Sequence, residues 1–274
     1  QQNTVVYDSQ LKGNRVRREL EMLWQRRYLV SQLVRRNLNT RYRRSLLGIF
    51  WSVLEPLATT LIMVGVFTYI LKNSIEYFPV YLLSGLVIWN FFNASTNMAI
   101  TELKVGNMLS KNVYIPKSVF VISGLASNFV NLVITICILL ILLIIYQIPL
   151  SWSSIPVVIL ALVLATIFSA GVGFLIASLN VFYSDAMRLY QIVLRLVLYL
   201  SAVFYKPDSF TGIIAWVVKL NPIYQMIYLF RCGMYFNTWP SLNSVLYVSA
   251  WAIGMLGFGF YVYSHLSDRF IYYA

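Results

Sequence analysis

The sequence predicts an all-α integral membrane protein. It should have six transmembrane helices, an N-terminal amphipathic interface helix, and short re-entrant or interfacial external helices between spans five and six. Three observations carry that prediction. The 274 residues are 59% hydrophobic and 11% charged, with a mean hydropathy of +0.72, far from the balance of a soluble domain. Six stretches are apolar enough for a helix to cross about 30 Å of hydrocarbon, which takes about 20 residues. Eleven of the 21 lysines and arginines lie in residues 1–45, immediately before the first apolar run, the charge bias of a cytoplasmic flank. A net charge of +12 arranged this way points to a membrane surface rather than to nucleic acid.

Residues 1–45 are expected to form a basic cytoplasmic segment, and 1–44 contain no apolar stretch of signal-peptide type. Within it, RVRRELEMLWQRRYLVSQLVRRNL (15–38) sets Leu20, Leu23, Trp24, Val30, Val34 and Leu38 at near-helical spacing. Arg17, Arg18, Arg26, Arg27, Arg35 and Arg36 lie between them. A basic helix of this kind lies in the membrane interface; a solvated basic arm is the alternative.

The first span, 46–71, follows Arg41, Arg43 and Arg44, which hold its start at anionic headgroups. Its one charge is Glu55, directly before Pro56. The remaining spans read as 78–101, 119–146, 155–179, 187–205 and 243–264. Lys104, Lys111 and Lys117 place the 102–118 loop on the cytoplasmic side, and an even number of spans returns the tail, 265–274, to that side. The transmembrane domain is thus 46–264, with 206–242 external. In that external region two apolar pieces, 212–220 and 223–236, are cut by Asn221-Pro222 and carry Lys219 and Arg231. They are too short to cross.

Polar side chains at membrane depth are costly, so their positions are informative. Asn90, Asn93 and Asn97 share one face of the second span, Asn128, Asn131 and Thr135 one face of the third, and Arg188, Gln191, Arg195 and Tyr199 one face of the fifth. Helix-to-helix hydrogen bonding is the preferred reading for the third span and a hydrated path for the second and fifth. At 1.5 Å per residue, Glu55 lies roughly 14 Å into the first span and Arg195 at similar depth in the fifth. A pair between them, within a subunit or across a dimer, is expected; the alternative is that each faces water or snorkels separately. Ala165, Ser169, Gly173 and Ala177 in the fourth span, and Ala250, Gly254 and Gly257 in the sixth, read as packing seams.

Enzyme signatures are mostly missing. There is no GxxxxGK[ST] motif to cradle a nucleotide. The nine carboxylates form no cluster fit for a metal, His265 is the sole histidine, and Cys137 and Cys232 have no ligand spacing. No cofactor is expected on this chain.

Four segments carry a family resemblance. RYRRSLLGIFWSVLEPL (41–57) has a basic-S-x-L-G-x-x-W-x-x-x-x-P pattern. NMLSKNVYIPKSVF (107–120), NVFYSDAMRLYQIVLRLVLYLSAVFY (180–205) and NPIYQMIYLFR (221–231) follow in order. Together they resemble the membrane-spanning permeases of ABC exporters of the polysaccharide group, which export O-antigen, capsule or wall teichoic acid. Two departures stand out. Ser184 precedes Asp185 where the family often has Arg, and Ser201-Ala202-Val203 replaces a frequent Ser-Pro-Ile, which should leave the fifth helix straighter.

The resemblance implies a homodimer in a bacterial cell membrane with both termini cytoplasmic, paired with two separate nucleotide-binding ATPase subunits that carry the ATP and Mg. It implies a channel between protomers for a lipid-linked glycan, lined by the first, second and fifth spans, with the external helices as a gate. Candidate lining residues are Glu55, Trp89, Asn90, Asn93, Asn97, Arg195, Tyr199 and Phe204. Candidates for coupling to the ATPase are Trp24, Arg27, Lys104, Lys111, Pro116 and Lys117, with a short helix in the 102–118 loop stopping before Pro116. A permease for drugs or small lipids is the main alternative. A membrane-embedded glycan transferase is the alternative from another class, and it would need a carboxylate cluster in a surface loop.

Overall fold

The computed structural model describes residues 25–42, 46–70, 75–109, 116–207, 211–267 and 269–270. Among these, all regular structure is helical. Helix α1 spans Arg27–Tyr42. A 3-10 turn, Gly48–Phe50, leads into α2, Trp51–Gly65, which ends in a π-helical turn, Val66–Ile70. Then come α3, Phe78–Leu109, α4, Ser118–Ile145, α5, Ile155–Phe182, and α6, Ala186–Leu200. Two short helices, α7 (Ile213–Leu220) and α8 (Pro222–Met234), precede α9, Leu242–Leu266.

Among the described residues five stretches are long and apolar enough to cross a membrane: Trp51–Thr68, Phe78–Asn107, Ser118–Ile145, Trp152–Phe182 and Leu242–Leu266. This is a multi-pass, all-α membrane protein. The axis of the bundle is α3, whose spanning window is 78% buried, whereas that of α2 is 11% buried and lies on the rim. The second span was expected to stop at residue 101, yet α3 runs on to Leu109. Glu102 and Lys104 therefore sit on a helix and not in a loop. The expected short helix before Pro116 falls on 110–115, outside the described residues.

The fifth span also differs. Expected over 187–205, it is helical only to Leu200, and 15 residues rise roughly 22 Å, short of a full crossing. No proline is responsible. The chain turns at Ala202, which has φ of +47°, because the carbonyls of Ala202 and Val203 are taken by Arg231 (2.9 and 3.1 Å).

Asn221-Pro222 produces the break expected of it. The Asn221 side chain accepts from Ile223 N at 3.0 Å and donates to Leu200 O at 3.1 Å, while Pro222 opens α8, where a missing N–H costs nothing. The two helices meet at 72°. Tyr81, near the start of α3, donates to Tyr205 O ahead of α7, and Tyr235 beyond α8 donates to Glu76 O. The pair thus leaves and returns on one side of the bundle, as a re-entrant element does. α8 is buried in the core through Ile223, Met226, Ile227, Leu229 and Phe230, so it is not interfacial; α7 stays on the surface, with Ile213 and Trp216 exposed.

Helix α1 packs Leu29, Val30 and Leu33 of its apolar face on Val119 and Phe120 of α4. Leu20, Leu23 and Trp24 of the expected face lie outside the described residues.

The small-residue stripe of α5 packs as expected: Ala165, Ser169 and Ala177 are buried, and a Cβ on Gly173 would lie 3.1 Å from that of Ala99. The stripe of α9 does not. Gly254 and Gly257 face open space, and Ala250 and Gly254 help line a surface groove of about 460 Å³. The seam α9 uses is Gly259, where a Cβ would lie 2.0 Å from the Gly171 carbonyl oxygen of α5. Alanine at Gly259 or Gly171 is accordingly expected to cost about 1–3 kcal/mol through overpacking. Alanine at Gly254 or Gly257 should be neutral or stabilising by up to about 1 kcal/mol. Thermal unfolding of the detergent-solubilised protein separates the two pairs by the sign of the shift.

Candidate functional site

Three polar constellations stand inside this helical frame. The first joins α3 to α6. Asn97 Nδ2 donates to Asn93 Oδ1 (2.7 Å), and Asn97 Oδ1 accepts from Gln191 Nε2 (2.5 Å). Tyr190 Oη donates to Thr96 Oγ1 at 2.7 Å. One turn of α3 is thereby stitched to one turn of α6, because residues three and four apart share a helix face. Asn93 and Asn97 are half-buried in this joint, while Asn90, Arg195 and Tyr199 are exposed beyond it. The expected amide face thus exists, with its inner part spent on helix pairing.

Two candidates leave that face. Trp89 is 4% exposed and packs in the core beside Phe92, since the residue before Asn90 is turned about 100° around the helix. Phe204 is also buried; it stacks on Phe67 at 5.5 Å and 13°, which ties the far ends of α2 and α6 together. Glu55 and Arg195 are both exposed, and among the described residues no ion pair joins them within the subunit.

The second constellation fastens α1. Arg36 pairs with Glu102 of α3 at 2.5 Å and donates to Asn37 Oδ1 at 2.9 Å. Asn37 Nδ2 donates to Ser127 Oγ of α4 (3.2 Å), and Arg41 donates to Asn128 Oδ1 (3.1 Å). Asn128 thus bonds between helices, as read for the third span. Of the coupling candidates, Arg27 and Lys104 are exposed at this end of the bundle and Pro116 is buried. Lys117 is turned inward, with Nζ 5.1 Å from the centroid of Phe270. Trp24 and Lys111 lie outside the described residues.

The third constellation was not anticipated. Arg231 of α8 is 2% exposed. Its guanidinium donates to the carbonyls of Ala202 (2.9 Å), Tyr81 (3.1 Å) and Val203 (3.1 Å) and to Ser84 Oγ (3.3 Å). It also lies 3.6 Å from the centroid of the Tyr81 ring, within cation–π range. Gly85 makes room for it: a Cβ there would lie 2.7 Å from an Arg231 terminal nitrogen. The available signal was an arginine inside an apolar stretch, which marked the segment as unusual but named no partners.

The described residues contain no group of three or more metal-ligating side chains. What they contain is a bundle with an amide-bearing rim, a re-entrant helix pair at one end and a basic, anchored helix at the other. These are the parts of a polytopic transport permease. The chain belongs to the ABC-2 type transporter family, whose model matches residues 28–235. It is 27% identical to the O-antigen export system permease protein RfbA of Klebsiella pneumoniae, over 92% of this chain and 98% of that protein. It is 23% identical to the polysialic acid transport protein KpsM of Escherichia coli, over 78% and 85% of the two chains. It is 21% identical to the capsule polysaccharide export inner-membrane protein CtrC of Neisseria meningitidis, over 90% and 94%.

Removing the Arg231 guanidinium leaves buried carbonyls without donors, at about 1–3 kcal/mol each. Arg231→Met is therefore expected to lower the thermal midpoint sharply. Arg231→Lys should recover only part, since an ammonium cannot span the same set of acceptors. Unfolding in detergent followed by tryptophan fluorescence measures both.

Proposed function

We propose that this chain is the channel-forming subunit of an ATP-driven exporter that carries a lipid-linked polysaccharide from the cytoplasmic to the outer face of a bacterial membrane. The observation that carries the reading is the rim of α3 and α6. Asn90 and Tyr199 stand exposed there above the Asn93–Asn97–Gln191 joint, on a chain whose relatives carry O-antigen, polysialic acid and capsule export in their names. Amides exchange hydrogen bonds with sugar hydroxyls, and an aromatic ring presents a flat apolar face to sugar C–H groups. A surface of that kind holds a glycan loosely at many points, which suits a moving polymer.

The working unit is a homodimer of this chain with two copies of a separate nucleotide-binding subunit, which holds ATP and Mg. The α1 end is cytoplasmic, in keeping with its basic flank. Arg27 and Lys104 stand exposed there and belong to the surface that receives the ATPase, for which Trp24 and Lys111 are further candidates by sequence. The re-entrant α7–α8 pair lies at the outer end as the gate.

Asn90→Ala with Tyr199→Ala is expected to lower glycan export about tenfold, equivalent to about 1.4 kcal/mol, at unchanged expression and assembly. Glycan appearing on the far side of vesicles that hold the full complex is the readout, and unchanged export by an assembled double variant would remove the rim from the path. Charge reversal at Lys104 and Lys111 should leave insertion intact and reduce both co-purification of the ATPase subunit and transport-stimulated ATP hydrolysis. Normal values of both would clear this surface of a coupling role.

A further inference from the structure

Phe270, in the segment after α9, is fully buried although it belongs to no spanning helix. Its ring lies 5.7 Å from that of Phe182, the last residue of α5, and 6.0 Å from that of Tyr263 of α9. Lys117 sets its Nζ 5.1 Å from the centroid of the same ring, within cation–π range. Phe270 therefore touches two connections at the α1 end of the bundle. Lys117 closes the one from α3 to α4, and Phe182 opens the one from α5 to α6.

Lys117 is the N-cap residue of α4. A cation there opposes the helix dipole, so α4 itself does not call for a lysine. A buried ammonium does call for an electron-rich surface, and the face of Phe270 supplies one. The turn that follows is held as well. Phe120 fills the space over Gly106 of α3, where a Cβ would lie 2.6 Å from its ring, and Leu33 of α1 packs alongside.

From Phe270 the contacts continue inward. Tyr263 lies 5.0 Å from Phe174 of α5. These two residues stand about one turn beyond Gly259 and Gly171, where the backbones of α9 and α5 meet. A line of rings thus joins the start of α4 to the tightest helix crossing described.

We propose that Phe270 is a positioning residue for ATP-driven export. It fastens the end of the α3–α4 connection to the α5–α9 crossing, so that a push delivered to that connection moves these helices together. The inference rests on the reading that the α1 end receives the ATPase subunit, and adds to it the route by which the push enters the bundle.

The test uses the full complex of this chain with its ATPase subunit, reconstituted in vesicles. Phe270→Ala is expected to lower glycan export about tenfold while co-purification of the ATPase subunit and ATP hydrolysis stay within about twofold, so that more ATP is used per glycan moved. Phe270→Tyr keeps a ring in the socket and should recover at least about threefold of the loss. Lys117→Met removes the other side of the same contact, so adding it to Phe270→Ala should be no worse than the worse single substitution. Should Phe270→Ala not assemble, Phe270→Leu fills the socket without a ring, and a fall in export of about threefold is expected from it.

An assembled variant whose export and ATP use per glycan match the unmodified complex would overturn the inference and leave the transport reading in place. So would additive effects of the two substitutions, or a lowered thermal midpoint with the ratio of ATP to glycan unchanged, which is what packing alone produces. An unmodified complex that moves no glycan would overturn the transport reading and this inference together.

Discussion

The half of the subunit away from α1 is organised by one cation. Arg231 has no carboxylate beside it among the described residues; it is held by backbone carbonyls from α3 and from the stretch after α6, together with one tyrosine ring. A buried charge tolerates such a site only where its donors are filled, so the guanidinium dictates the local backbone. The α6 helix stops at Leu200 so that two carbonyls can turn toward it, and α3 carries Gly85 so that it can enter. The α8 helix must remain in the core to deliver it. The re-entrant pair, the shortened fifth helix and the kink at Ala202 are therefore one solution to one electrostatic requirement.

The opposite end uses a different chemistry for the same purpose. There a paired charge, Arg36 with Glu102, and two amide contacts, Asn37 to Ser127 and Arg41 to Asn128, fix α1 to α3 and α4. The apolar contact of Leu33 with Val119 and Phe120 lies alongside. Polar contacts set the rotation of α1 and apolar contacts set its depth. The exposed face of α1 is then presented by a helix that cannot roll.

Much of this architecture was legible in the sequence, because hydropathy and charge act at long wavelength: five spanning stretches, the re-entrant break at Asn221-Pro222 and the amide face of α3 were all readable. What escaped depended on contacts between distant segments. Trp89 and Phe204 were assigned to the rim from their chemistry and neighbours, but a single step around a helix or past its end sent both into the core. Lys117 was read as a coupling candidate in a cytoplasmic loop, and its side chain turns inward to Phe270. The seam of α9 was misplaced because Ala250, Gly254, Gly257 and Gly259 look alike in a one-dimensional pattern, and only the approach of Gly171 selects among them. The fifth helix was expected to be straighter for want of a proline, and it ends at Leu200 where the following carbonyls turn to Arg231.

The near-contact of Gly171 with Gly259 has a mechanical consequence. Where two helices touch backbone to backbone, no side chain lies between them to rearrange, and sliding requires breaking the whole crossing at once. The α5–α9 pair, with α3 seated on the other face of α5 through Ala99 and Gly173, is thus a stiff post. The rim helices α2 and α6 meet α3 through the Phe67–Phe78 ring contact and the Gln191–Asn97 and Tyr190–Thr96 hydrogen bonds, contacts that yield one at a time. The subunit divides into a stiff post, which also carries α1 through α3, and a loosely held rim that takes up strain first.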